Sequence, residues 1–153
     1  MPHRGAFIPP LSQRNIDALF EARRVIEDWA AAKATHLRLQ TERLFELIEL
    51  QREHLDDPVE FNTYDVEFHT LIVQAGDNAI FADVYRSLRT RQLRLGVRAV
   101  VRTSGRSATV LDEHTAIARA IEQGDAESAV AAARRHLDIT AAALMARGPH
   151  LND

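Results

Sequence analysis

Apolar residues recur three and four positions apart along most of the chain, and runs of alternating β-branched residues are missing, so the pattern predicts helix nearly everywhere and an all-α fold. Ile16, Leu19, Arg23, Ile26 and Ala30 share one stripe behind Pro9-Pro10 and Ser12, which predicts a first helix over about 13–34. Leu37, Leu44, Leu47, Ile48 and Leu55 form a second stripe, ended by Asp56-Asp57-Pro58. Asp57 as N-cap, Pro58 at the first helical position and Glu60 at the third predict a third helix that runs to Ala75 and stops at Gly76. Asp77 or Asn78 then caps one long fourth helix through about Arg102, with Phe81, Val84, Leu88, Leu95 and Ala99 inward, broken by Thr103-Ser104-Gly105. Thr109 with Asp112 opens or reinforces a fifth helix, Gly124 closes it, and Asp125 caps a sixth that runs to about Ala146.

The expected architecture is therefore an antiparallel bundle of about six helices filling residues 11–147, with a frayed tail over 148–153. Residues 1–10 look foreign to the bundle, and Arg4-Gly5-Ala6-Phe7-Ile8 reads as a short strand. At 153 residues and 46% hydrophobic, one core is enough. A net charge of −3 argues against a module that grips phosphate backbones by bulk charge, so no DNA-binding residue is expected in this chain. With no Cys, disulfide frameworks, thiolate nucleophiles and Cys-based zinc sites are excluded, and any metal has to be held by His and carboxylates. The first ten residues lack the apolar stretch of a signal peptide and nothing approaches the ~18 uncharged apolar residues of a membrane span. A cytoplasmic domain with no membrane partner is the expectation.

The informative residues are polar ones that interrupt apolar stripes. In the third helix Asp65 sits on the stripe of Phe61, Phe68 and Ile72, and His69 follows it by four, so both side chains project from neighbouring turns of one face. In the fifth, His114 shares a face with Val110, Ile117 and Ile121; in the sixth, His136 lies among Ala129, Ala132, Ala133, Thr140 and Ala143. His114 lies ten residues before Gly124 and His136 twelve after it, so both stand ~15 to 18 Å from one turn and an antiparallel pair sets them side by side. Singly, each histidine reads as a core histidine and Asp65 as a helical hydrogen-bond partner. Together, one carboxylate and three imidazoles at one level of a core need partners that a divalent cation supplies. Such ligands suit Zn²⁺, Ni²⁺, Mn²⁺ and Fe²⁺ alike. His3, His36, His54 and His150 read as solvated.

Two arginines stand on inward stripes: Arg23 in the first helix, and Arg91, beside Gln92, in the fourth. A guanidinium in a bundle interior needs an anion, either a neighbouring carboxylate such as Glu27 or a ligand carboxylate that takes its bidentate fork. Arg94, Arg98 and Arg102 form a charged ridge that reads as a solvated or dimer-interface face.

Asp65-x-x-Phe68-His69, Gly76-x-Asn78, Glu113-His114, Ala120-Ile121-x-x-Gly124-Asp125 and Arg135-His136-Leu137 together resemble the FCD domain, the C-terminal effector-binding domain of FadR-type regulators in the GntR superfamily. The resemblance spans about Leu11 to Met145 and implies that Asp65, His69, His114 and His136 hold a divalent metal beneath a pocket for a small carboxylate effector. Gly5-Ala6-Phe7-Ile8 looks like the last wing strand of the family's winged helix-turn-helix, whose remainder does not precede it, so the chain is expected to be a truncation, a fragment or a free-standing sensor, with operator DNA reached only through that missing part. Six helices rather than seven imply the shorter, VanR-like subgroup. The reading is a homodimeric sensor, paired through helices one and four, in which metal, Arg23, Arg91 and Gln92 receive the effector. A metal-dependent enzyme acting on a small organic acid is the alternative, with Glu113 and Asp112 the nearest candidates for a catalytic carboxylate, although no catalytic residue is assigned.

Overall fold

In the computed structural model, which describes residues 12–145, the start signals read from the sequence are used as hydrogen-bonded caps. Ser12 accepts from the Asn15 N–H, Asp57 from Val59 and Glu60, and Asn78 from Ile80 and Phe81, each satisfying donors that a helix N-terminus leaves open. The elements they start are α1 (Gln13–His36), α2 (Glu42–Glu53), α3 (Pro58–Ala75) and α4 (Ala79–Ser87), followed by α5 (Arg89–Arg102), α6 (Arg106–Glu122) and α7 (Ala126–Met145). Among the described residues the fold is an all-α bundle of seven helices. The lead at 1–10, its strand and the tail at 148–153 lie outside the described residues.

The expected long fourth helix is two. It breaks at Leu88, whose N–H bonds Tyr85 O three residues back. Ahead of the break, Tyr85 enters the larger core, shared by α1, α2, α3, α6 and α7; beyond it, Leu95 and Ala99 enter a second cluster with Ile16, Leu19, Phe20 and Leu137. The count of six, and the subgroup argument built on it, give way to seven. α6 also begins a turn earlier than Thr109, because Gly105 at φ +75° takes a left-handed conformation open to glycine and turns the chain into Arg106. Leu37, Leu55 and Val84 are exposed rather than inward. No helix of the described residues is long and apolar enough to cross a membrane.

α1 packs along α7 and α3, α6 runs beside α7, and α5 lies across α3 and α7. These contacts leave the middle of α3, α6 and α7 facing one another with α1 behind them, which fixes the position of the polar cluster described next.

Candidate metal centre and adjoining cavity

Asp65 and His69 from α3, His114 from α6 and His136 from α7 come together as the sequence arithmetic anticipated, each offering a ligand atom within 4.8 Å of the others. The three imidazoles are almost wholly buried, and the His114 and His136 rings lie 4.8 Å apart. Phe68 stacks flat on His114 at 4.2 Å and fixes its plane.

Each histidine is oriented through Nδ1. His69 Nδ1 donates to Glu27 Oε2 at 2.9 Å, His136 Nδ1 to Glu113 Oε2 at 2.6 Å, and His114 Nδ1 to Gln51 Oε1 at 2.8 Å. Gln51 is itself aimed by its own Nε2, which donates to Phe61 O. With every Nδ1–H committed, three Nε2 lone pairs point into one space. His69 Nε2 and His136 Nε2 stand 3.2 Å apart. His114 Nε2 has no hydrogen-bond partner, and it faces the Asp65 Oδ1 at 3.3 Å, acceptor against acceptor. Burial first, then the neighbouring His136 and His69, push the His114 imidazole well below its ordinary pKa, so a proton does not relieve that contact. Burial also lowers His136, against the opposing pull of Glu113. Nδ1 held by a carboxylate or amide oxygen and Nε2 left free is the arrangement in which histidine ligates a metal, and the donor set of one carboxylate and three imidazoles fits a divalent ion.

Two carboxylates, the buried Glu27 and the half-buried Glu113, support the cluster. Glu27 accepts from Arg23 Nε at 2.7 Å and Tyr85 OH at 2.6 Å as well as from His69. Burial would raise its pKa, but Arg23 and His69 outweigh that and hold it well below the usual carboxylate range. Glu113 takes both Nη groups of the buried Arg106, at 2.6 and 2.8 Å, and Arg106 is further tied to Thr140 and Thr109. Burial opposes, and His136 and Arg106 reverse, the shift of the Glu113 pKa, which ends low.

Beside the cluster lies a narrow cavity of about 20 Å³, room for about one water molecule. Arg23, Asp65, Gln92, Arg106 and His136 line it, with Gly96 on its α5 wall. Among the described residues no hydrogen bond occupies the Nη groups of Arg23, and Gln92 Nε2 and Arg106 Nε are buried without a partner. Gly96 lets α5 approach α3 closely: a Cβ there would collide with Asn62 Oδ1.

Of the effector candidates, then, Arg23 and Gln92 reach the cavity. Arg91 does not; it is exposed on α5, because the stripe that turns inward is Gln92, Leu95 and Ala99. His54, expected in solvent, is half-buried, with its Nδ1 donating to Leu50 O. The sequence reading missed Arg106, Gln51 and the double service of Glu27 and Glu113. A signal existed for one pair: Glu113 follows Arg106 by seven residues, two turns along one helix face.

A three-histidine, one-aspartate cluster beside a small cavity thus sits on an all-helical frame. The FCD domain matches residues 18–139, and the chain belongs to that family. Among solved structures it is similar in fold to E. coli McbR/YncC, with a TM-score of 0.75 and 16% identity over 90% of this chain and 71% of that one. Comparison with curated proteins finds no match.

Proposed function

We propose that this chain is the sensor of a GntR/FadR-type bacterial regulator. In this reading a divalent ion is held by Asp65, His69, His114 and His136, and the adjoining cavity receives a small carboxylate. The observation that carries it is the convergence of three Nε2 lone pairs and the Asp65 carboxylate in a buried space, three acceptors of which are imidazoles already committed at Nδ1. An ion bound there supplies a Lewis-acidic centre for a carboxylate oxygen. Arg23 adds the positive charge, its Nη groups available on the cavity wall while Nε keeps Glu27. Zn²⁺ is the first expectation, ahead of Ni²⁺, Mn²⁺ and Fe²⁺.

A sensor is favoured over a metal-dependent enzyme because the two carboxylates expected nearest the site are not free to act there. Glu113 is forked by Arg106 and bonded to His136, and Asp112 is exposed in a separate groove between α6 and α7. We read the working form as a homodimer paired through α1 and the α4–α5 pair, where Val25, Ile80, Val84 and Val101 are large apolar residues left in solvent. Operator contacts would come from a winged helix-turn-helix, with the effector biasing how the dimer presents it; such a bias requires different affinity for two arrangements.

Elemental analysis tests the site: one divalent ion per chain is expected, lost in both His114→Ala and His136→Ala. Full stoichiometry in both variants would overturn it. Calorimetry with small carboxylates on the metal-loaded chain tests the effector, and turnover of any of them would favour the enzyme.

A further inference from the structure

The net charge of −3 conceals an uneven distribution. From Val84 to Leu111 the chain has seven arginines and no Asp or Glu, so this stretch carries +7, while the other residues, 12 basic against 22 acidic, carry −10. Elsewhere arginines are neutralised close at hand: Arg43 by Glu46, Arg52 by Glu49, Arg119 by Glu122 and Arg24 by Asp138. α5 has no acid of its own, and Arg91, Arg98 and Arg102 are exposed with no hydrogen bond or ion pair to any described residue. At ~100° per residue their side chains lie within about 40° of one another, in a line about 16 Å long. Helix stability does not account for this face. Arg89 and Arg91 stand in the first turn, where cations are unfavourable, with neither an acidic residue nor a side-chain cap beside them, and Arg98 and Arg102, four apart, repel each other.

We propose that this face of α5 is a contact surface for the phosphate backbone of double-stranded DNA, with Arg91, Arg98 and Arg102 as the contacting residues. It departs from the expectation that the net charge alone sets, and the choice of DNA as the polyanion rests on the regulator reading. A row of guanidiniums matches a row of phosphates, each of which takes the bidentate fork, and 16 Å of duplex presents about ten phosphate charges. Such a contact positions the duplex and adds affinity without reading its sequence. Leu95 and Ala99 pack α5 against Ile16, Leu19 and Phe20, so the arginines lie at the end of the bundle where α1 begins, the end toward which the proposed function places the winged helix-turn-helix. Val101, assigned above to the dimer face, points about 60–100° away from each of the three, so the two surfaces do not compete. A membrane surface fits less well, because a helix lying on lipid inserts an apolar face beside its basic one, and the apolar residues Leu95 and Ala99 are already spent on the core.

Fluorescence anisotropy of a labelled duplex of about 20 base pairs and arbitrary sequence, titrated with the chain at about 50 and about 200 mM salt, tests this. Three phosphate contacts should weaken binding about 40-fold between the two salt concentrations. Combining Arg91→Gln, Arg98→Gln and Arg102→Gln should lower affinity at the lower salt about tenfold or more and flatten the salt dependence. Combining Arg43→Gln, Arg52→Gln and Arg119→Gln removes the same charge from paired positions and should stay within about threefold of the wild type. Should the α5 triple variant fail to fold, Arg98→Glu alone should weaken binding about tenfold. No binding at the lower salt, equal losses in the two triple variants, or tighter binding to anionic lipid vesicles or to polyglutamate than to DNA overturns the proposal. Each of these outcomes leaves the sensor reading standing, because that reading is tested by metal stoichiometry and carboxylate binding.

Discussion

Two sides of one cavity are built on opposite principles. On the metal side, α1, α3, α6 and α7 bring together Glu27, Asp65, Glu113 and three histidines, and the supporting groups are consumed: Glu27 serves Arg23, His69 and Tyr85, and Glu113 serves His136 and Arg106. On the other side, α5 offers two buried apolar residues, an unpartnered glutamine amide and a row of surface arginines. A ligand site needs the first kind of wall to fix geometry and the second to admit a ligand. Preorganisation and yielding are thus divided between helices rather than blended within one.

The strongest test of that contrast is to break the consumed side. Glu27→Gln keeps the size of the side chain and removes the charge opposite Arg23, leaving a guanidinium that is 5% exposed without its anion. Breaking a buried pair in this way costs about 3–5 kcal/mol. The same change at Asp138, whose partner Arg24 is 40% exposed, should cost less than about 1 kcal/mol. Chemical denaturation of both variants, metal-free, reads the difference; equal losses would place the two ion pairs in one class.

Metal removal comes next. An ion that binds only the folded chain stabilises it by about 2.7 kcal/mol at a hundredfold excess over its Kd. Chelation should therefore lower the thermal midpoint of the wild type and leave His114→Ala where it is. The pH dependence has a defined sign. His114 and His136 have folded pKa values below the ordinary 6.5, so between the two values the unfolded chain binds more protons. The stability they contribute is complete above about pH 6.5 and drains away as pH falls. Glu27 and Glu113, held below 4.5, add a second loss that begins near that pH and deepens as it falls toward their folded values. Protons compete for the same Nε2 atoms, so metal affinity should fall over the first of these intervals. A metal-free chain equally stable at pH 7 and pH 5 would contradict the burial argument.

The four candidate ligands were legible because each breaks an apolar stripe, and helix periodicity and the Gly124 turn fix their mutual height. What supports them was less so. Gln51 reaches His114 from α2, 63 residues away in sequence, and nothing local marks it. Tyr85 lies 58 residues from Glu27, again a contact made by tertiary packing alone. The break at Leu88 was hidden for a related reason: Arg86-Ser87-Leu88-Arg89 contains neither Gly nor Pro, and Tyr85, Gln92 and Ala99 continue a seven-residue spacing across it. The interruption comes from two cores that receive the two halves. Arg91 was misplaced because, at one residue from Gln92, it sits on the edge of the inward face, where a stripe read from sequence is least certain about which neighbour turns in.

Gly96→Ala probes the yielding wall with a smaller effect. Its methyl would collide with Asn62 Oδ1, so either Asn62 gives up its bond to Pro58 O or α5 lifts from α3. Overpacking of this kind costs about 1–3 kcal/mol. If α5 is the side that moves, metal stoichiometry should be unchanged while carboxylate affinity changes. Loss of the metal as well would mean that the two walls are one mechanical unit.

The smallest expected effect separates the surface of α5 from its inner face. Arg91 and Gln92 are adjacent in sequence, yet one is exposed and the other 4% exposed on the cavity wall. Arg91→Ala removes a guanidinium that water already solvates, so stability should stay within about 0.5 kcal/mol. Carboxylate affinity should also hold, because a charge outside the cavity acts through high dielectric and is screened by salt within about 10 Å at 0.1 M. Calorimetry with the tightest-binding acid, run at low and moderate salt, decides the point. A tenfold loss at moderate salt would show that Arg91 turns into the site when the ligand binds, and α5 would then have to rotate as well as lift.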